Sequence, residues 1–115
     1  MRKIYYLSTC STCSRIIAEL KLVKKGFQLQ DIKTEKITPS QLEEMKNTVG
    51  NYESLFSRIA LKYKTLKTKP TAEKEYKRLI LEEYTFLKRP VIFIDKQIFI
   101  GNSKKNIENA KEALK

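Results

Sequence analysis

Three changes of hydrophobic period along 115 residues predict an α/β fold. A β-α-β opening is followed by a helical block over about residues 38 to 87 and then by a β-β-α closing unit. Two parallel strands joined by a crossover, plus one hairpin, make a mixed four-stranded sheet in a single domain.

The first strand is the short apolar run Ile4-Tyr5-Tyr6-Leu7, bounded by Ser8-Thr9. The period then changes. Cys13, Ile16, Ile17, Leu20 and Val23 recur at helical spacing, and Lys24-Lys25-Gly26 supplies cations and a glycine for the helix end. Phe27, Leu29 and Asp31 alternate with Gln28, Gln30 and Ile32, which predicts a second strand parallel to the first.

Thr38-Pro39-Ser40-Gln41 is a helix start: threonine caps, proline occupies the first turn, and glutamine stands three residues after the cap. Leu42 and Met45 form its apolar side, and Gly50-Asn51 ends it. Leu55, Phe56 and Ile59 predict another short helix. Pro70-Thr71 opens a longer one, along which Tyr76, Leu79, Ile80, Tyr84 and Leu87 keep helical spacing. Val91-Ile92-Phe93-Ile94 and Gln97-Ile98-Phe99-Ile100 flank Asp95-Lys96 as a hairpin. Ser103 caps a last helix carrying Ile107, Ala110 and Leu114.

Composition narrows the function classes. A chain 41% hydrophobic and 32% charged reads as an ordinary globular protein. No apolar run reaches the ~20 residues that span a bilayer, and the first seven residues are too short for a secretory leader, so a cytoplasmic location is expected. The net charge is +11, but the lysines are spread along the chain with acidic residues interleaved. That pattern fits a lysine-coated surface, and beyond it an acidic protein partner or an anionic substrate. Direct nucleic-acid binding is not expected, because no DNA-binding motif is present. Two cysteines and no histidine exclude a structural zinc site and a Cys-His dyad. No metal and no cofactor are expected.

Chemistry is carried by Cys10-Ser11-Thr12-Cys13, a C-x-x-C spacing at a strand-to-helix junction. Free N–H groups and partial positive charge at a helix start favour thiolate, so Cys10 is expected to titrate below an ordinary thiol and to act as a nucleophile. Cys13 shares a face with Ile16 and Ile17, which also fits an inert packing residue; as a partner it would resolve the disulfide formed at Cys10. Arg89-Pro90 leads into the third strand. It reads either as a plain turn before that strand or as a cis peptide bond facing the cysteine loop.

With these motifs in view, the chain resembles the glutaredoxin-coupled arsenate reductase (ArsC) family together with its Spx regulator branch. The resemblance runs over essentially the whole length. It rests on Cys10-Ser11-Thr12-Cys13-Ser14-Arg15 after a short strand, the central helical insert, Leu87-Lys88-Arg89-Pro90-Val91-Ile92, and Ile100-Gly101 before the last helix. It implies a thioredoxin-like fold with helices inserted between β-α-β and β-β-α, and a cis Pro90. It also implies that Cys10 is the nucleophile, that Cys13 is the second cysteine of a redox-switch disulfide, and that Arg89 binds an anion. Arg58, in Leu55-Phe56-Ser57-Arg58, stands where another anion-binding arginine is expected.

A third family arginine is expected near Ile100-Gly101, where this chain has glycine as Spx-like members do. A missing charge-assisted partner costs about 1.5–3 kcal/mol of oxyanion binding, which implies weak or no arsenate turnover. The resemblance therefore implies a thiol oxidoreductase reduced by glutathione and glutaredoxin or by thioredoxin. The alternative is a redox-switched regulator that binds the RNA polymerase α subunit, although Spx-like members extend further past the last helix than Lys115.

Overall fold

The computed structural model describes residues 1–115 and divides into two units. One comprises Met1–Lys36 and Arg89–Lys115; the other is the intervening segment Ile37–Lys88.

The first unit is built on a four-stranded sheet of β1 (Arg2–Tyr6), β2 (Gln28–Asp31), β3 (Val91–Ile94) and β4 (Gln97–Ile100), in the order β2-β1-β3-β4. β1 pairs parallel to β2, with Ile4 opposite Leu29, and antiparallel to β3, with Ile4 opposite Ile92. β3 pairs antiparallel to β4. The mixed sheet follows from the chain: a helical crossover permits the parallel pair, and the two-residue Asp95-Lys96 turn permits the antiparallel one. Asp95 takes φ 56°, a left-handed conformation that aspartate tolerates and that tight hairpin turns require.

All four residues of β3 are buried, which explains why that central strand reads as an unbroken apolar run. Ile4, Ile16, Leu20, Leu22, Phe27, Ile92, Ile94, Ile107 and Ala110 form one core. The helices contributing to it are α1 (Ser11–Glu19) and α5 (Lys104–Ala113). Ser103 Oγ accepts the Asn106 N–H at 3.1 Å, so the expected cap of the last helix is present.

One expectation needs correction here. The first helix does not continue to Val23. It ends at Glu19, the chain turns through Lys21 at φ 54°, and Val23 is 67% exposed while Leu22 is fully buried. The left-handed residue rotates the following side chains off the helical face, so Leu22 takes the core place that periodicity assigns to Val23. In β2 the buried polar residue is Gln30, which donates from Nε2 to the Glu35 carbonyl at 3.1 Å. That bond satisfies an amide that would otherwise be costly to bury.

The second unit contains α2 (Pro39–Val49), α3 (Leu61–Lys64) and α4 (Glu73–Glu82), with 3-10 turns at Glu53–Leu55 and Tyr84–Phe86. The capping box forms as the sequence requires. Gln41 N–H donates to Thr38 Oγ1 at 3.0 Å, and Thr38 N–H donates to Gln41 Oε1 at 3.1 Å. Gly50 closes α2 at φ 112°, where an L side chain would be strained.

The predicted helix around Leu55, Phe56 and Ile59 is instead a single 3-10 turn. Phe56 is extended and bridges antiparallel to Leu87, while Ile59 is 89% exposed. Phe56 packs against Tyr63, Tyr76 and Phe86, with ring centroids 5.9, 5.1 and 5.1 Å away. That cluster and the bridge hold the strand-like conformation against local helical spacing. α4 likewise starts at Glu73 rather than at Pro70-Thr71, and it ends before Tyr84 and Leu87. Tyr84 begins the second 3-10 turn, and Leu87 is extended and bridges Phe56. No helix is long and apolar enough to cross a membrane.

Candidate functional site

Cys10 is the N-cap residue of α1, with extended backbone (φ −95°, ψ 109°). Its N–H donates to the Leu7 carbonyl at 2.9 Å, and its own carbonyl accepts the Ser14 N–H at 3.2 Å. A tight turn leaving β1 therefore delivers this residue directly to the helix start. Cys13 lies one turn later on the inward face and is 0% exposed, whereas Cys10 is half-buried. Both are free thiols.

The two sulfurs sit in opposite electrostatic environments. Partial burial pushes Cys10 up, but the Cys13 backbone N–H, the Cys13 thiol, the Thr12 N–H and the Arg89 charge together outweigh it, and Cys10 falls below the ordinary thiol value. Cys13 is pushed up to about 11, chiefly by burial and further by the hydrogen bond and charge of Cys10. Leu7 and Arg89 pull it the other way without prevailing. One thiol is thus prepared to ionise and the other to stay protonated.

Arg89 and Pro90 lead into β3 of the first unit. Arg89 is half-buried, its charge acts on both sulfurs, and the Arg89–Pro90 peptide bond is cis. Pro90 O accepts the Gly101 N–H at 2.9 Å, and the Gly101 carbonyl accepts from Asn106 Nδ2 at 2.7 Å. Gly101 takes φ 92°, a conformation that disfavours any side chain there, arginine included.

Arg58 belongs to the second unit. Its guanidinium donates to Glu53 Oε2 at 3.0 Å and to the Tyr76 hydroxyl at 2.8 Å, and lies 5.5 Å from the Tyr76 ring centroid. Its hydrogen bonds are thus to groups of its own unit.

Sequence reasoning missed Asp31. Its Oδ1 accepts the Ser8 N–H at 3.2 Å and the Lys33 N–H at 3.1 Å, tying the end of β2 to the loop that carries Cys10. The carboxyl is held below its ordinary value: burial pushes it up, and the hydrogen bonds of Ser8, Lys33 and Thr34 together more than offset that. An aspartate two residues before Lys33 is a visible turn signal, but its bond to Ser8 spans 23 positions and has no local signature. No three His, Cys, Asp or Glu side chains come together in a way that could hold a metal ion.

The model of the ArsC family matches residues 5–110, nearly the whole chain and both halves of the sheet. The chain belongs to the ArsC family. Its fold is shared with solved structures of low sequence identity. The YFFB protein is 18% identical with TM-score 0.81, each chain covered over 100% of its length. Arsenate reductase from Vibrio cholerae is 16% identical with TM-score 0.77, over 97% of this chain and 96% of that one. An arsenate reductase (ArsC) related protein from Brucella melitensis is 22% identical with TM-score 0.70, over 94% and 92%. No curated protein matches the chain. The mixed sheet with its helices is the thioredoxin-like arrangement of these ArsC structures, and membership of the family carries with it a thiol-redox function.

Proposed function

We propose that this ArsC-family protein is a thiol oxidoreductase of the arsenate-reductase type in which Cys10 attacks and Cys13 resolves, with weak or no activity on arsenate. The observation that carries the reading is the opposed tuning of the two sulfurs, one drawn down at a helix start and one pushed up to about 11 in the core. The Cys10 thiolate attacks one sulfur of a substrate disulfide, forms a mixed disulfide and expels the other sulfur as thiolate. Cys13 then gives up its proton, attacks the Cys10 sulfur and releases the second substrate thiolate. The substrate gains two electrons and the protein is left with a Cys10–Cys13 disulfide. Glutathione with glutaredoxin, or thioredoxin, returns those electrons. Arg89 and Pro90 would flank the reacting sulfur, and Arg89 would hold an anionic group beside it. Arg58 would serve as a second anion-binding arginine on exchanging its Glu53 contact.

Weak arsenate activity is expected from Gly101, which supplies no third guanidinium and whose positive φ disfavours one. The test is turnover of a glutathione mixed disulfide and of arsenate by wild type, Cys10→Ser and Cys13→Ser with each reductant. Disulfide turnover is expected for wild type and none for Cys10→Ser, with a stable mixed disulfide on Cys10 visible by mass spectrometry in Cys13→Ser. Turnover by Cys10→Ser, or rapid reduction of arsenate, refutes the assignment.

The second reading is a redox-switched regulator that binds the RNA polymerase α subunit, supported by the intact cysteine pair and the net charge of +11. It requires capture of that subunit by only one redox form. Equal failure of the reduced and oxidised forms removes it.

A further inference from the structure

The second unit carries a surface of which only Arg58 has a part in the proposed cysteine chemistry. Between Ser57 and Ala72 the chain has five cations, Arg58, Lys62, Lys64, Lys67 and Lys69, and no carboxylate. Within the same stretch Ile59 is 89% exposed and Leu61 is 82% exposed, although Ala60 between them is buried. The backbone is anchored at Ala60 and turns two neighbouring aliphatic side chains outward. Nearly full exposure of two branched aliphatics on adjacent alternate positions forgoes burial that the unit would otherwise gain.

The cations around them are not equivalent. Arg58 is paired with Glu53 and Lys62 with Glu83, at 3.0 and 2.6 Å. Lys69 is turned onto the Tyr63 and Leu66 carbonyls and over the Tyr63 ring. Lys64 and Lys67 are exposed and have no ionic partner. Apolar anchors beside unpaired positive charge form the centre and rim of a protein-binding patch.

We propose that residues 58–69 are a docking surface for an acidic protein segment that carries aliphatic side chains among its carboxylates. The choice of occupant follows from charge complementarity and from the kind of apolar group displayed. A nucleic-acid groove would offer exposed aromatic rings for stacking, but Tyr63, the one aromatic residue here, is already engaged by Phe56 and Lys69. A membrane-surface element would need a longer amphipathic helix than the four residues of α3. Carboxylates would pair with Lys64 and Lys67 while leucine or isoleucine side chains cover Ile59 and Leu61.

The test is amide chemical-shift mapping on the full-length, reduced chain. It is titrated with a panel of synthetic glutamate-rich peptides carrying leucine at varied spacing. The controls are the same peptides with serine for leucine, phosphatidylserine vesicles and oligothymidylate. Binding by leucine-containing peptides is expected, with shifts concentrated at residues 58–69. Ile59→Ser and Leu61→Ser should each weaken it about tenfold without lowering Tm, since both side chains are already in water. Lys64→Glu with Lys67→Glu should weaken it further and flatten its salt dependence. The proposal is overturned if the whole panel fails to bind, if shifts fall elsewhere, if the serine peptides bind equally well, or if vesicles or oligonucleotide bind this segment more tightly.

Discussion

Replacing Cys13 with alanine should change how stability depends on pH, and the direction follows from its surroundings. Cys13 is fully buried and moves from an ordinary value of 9.0 to about 11 in the folded chain. Below the ordinary value both folded and unfolded chains keep the proton, and the group contributes nothing to the pH slope. Above it the unfolded chain releases the proton while the folded chain holds it, so stability falls as pH rises from about 9 towards 11. Each tenfold change in proton affinity corresponds to about 1.4 kcal/mol, so the full effect is about 2–3 kcal/mol, of which about 1 kcal/mol is spent by pH ~10. Alanine cannot ionise. At neutral pH it loses about 1 kcal/mol through the missing sulfur contacts.

Wild type should therefore be the more stable protein at pH ~7 and should lose that advantage by pH ~10. Urea denaturation of both proteins under reducing conditions, followed by circular dichroism, reads the difference directly, and the lysines and tyrosines common to both cancel. A stability difference that stays constant from neutral pH to pH ~10 would show that Cys13 titrates as an ordinary thiol, and the division of roles between the sulfurs would fall with it.

Two other perturbations probe what holds the scaffold in place. Asp31→Ala frees the Ser8 and Lys33 N–H groups and should slow alkylation of Cys10 several-fold at neutral pH with little change in Tm; an unaltered alkylation rate, followed by mass spectrometry, would refute the brace. Because the Asp31 carboxyl is lowered, its contribution is complete above its ordinary value of 3.8 and disappears as pH falls through the lowered one, so alkylation differences should persist throughout the neutral range. Glu73→Ala removes acceptors that receive the Tyr52 N–H at 2.7 Å and the Glu53 N–H at 3.1 Å, and it should cost about 1–2 kcal/mol, read as a Tm lower by several degrees; an unchanged Tm would refute it.

What was legible in the chain was what local chemistry decides. The Thr38-Pro39-Ser40-Gln41 capping box, the Gly50 stop, the hairpin around Asp95-Lys96 and the Ser103 cap each depend on residues within a few positions, and each forms. The placement of Cys10 at a helix start was legible for the same reason. Misreadings arose where a distant partner or one backbone angle overrode periodicity. Lys21 in a left-handed conformation exchanged Val23 for Leu22 in the core. Phe56 and Leu87 pair across 31 positions and draw both segments out of helix. Asp31 was invisible as a site residue because Ser8 lies on a different element.

The tuning of the two sulfurs also carries an order of events. The charge and hydrogen bond of Cys10 are among the influences that keep Cys13 protonated, while Arg89 acts to release its proton. Once the Cys10 sulfur is tied up in a mixed disulfide, it carries no charge, and that restraint on Cys13 vanishes while Arg89 remains. The second thiol is therefore quiet for as long as the first is idle and becomes more acidic when the first has reacted. In the proposed exchange the pair would contain its own interlock: stray oxidants would meet one thiolate rather than two, and the sulfur needed to finish the exchange would be released by the step that creates the need for it.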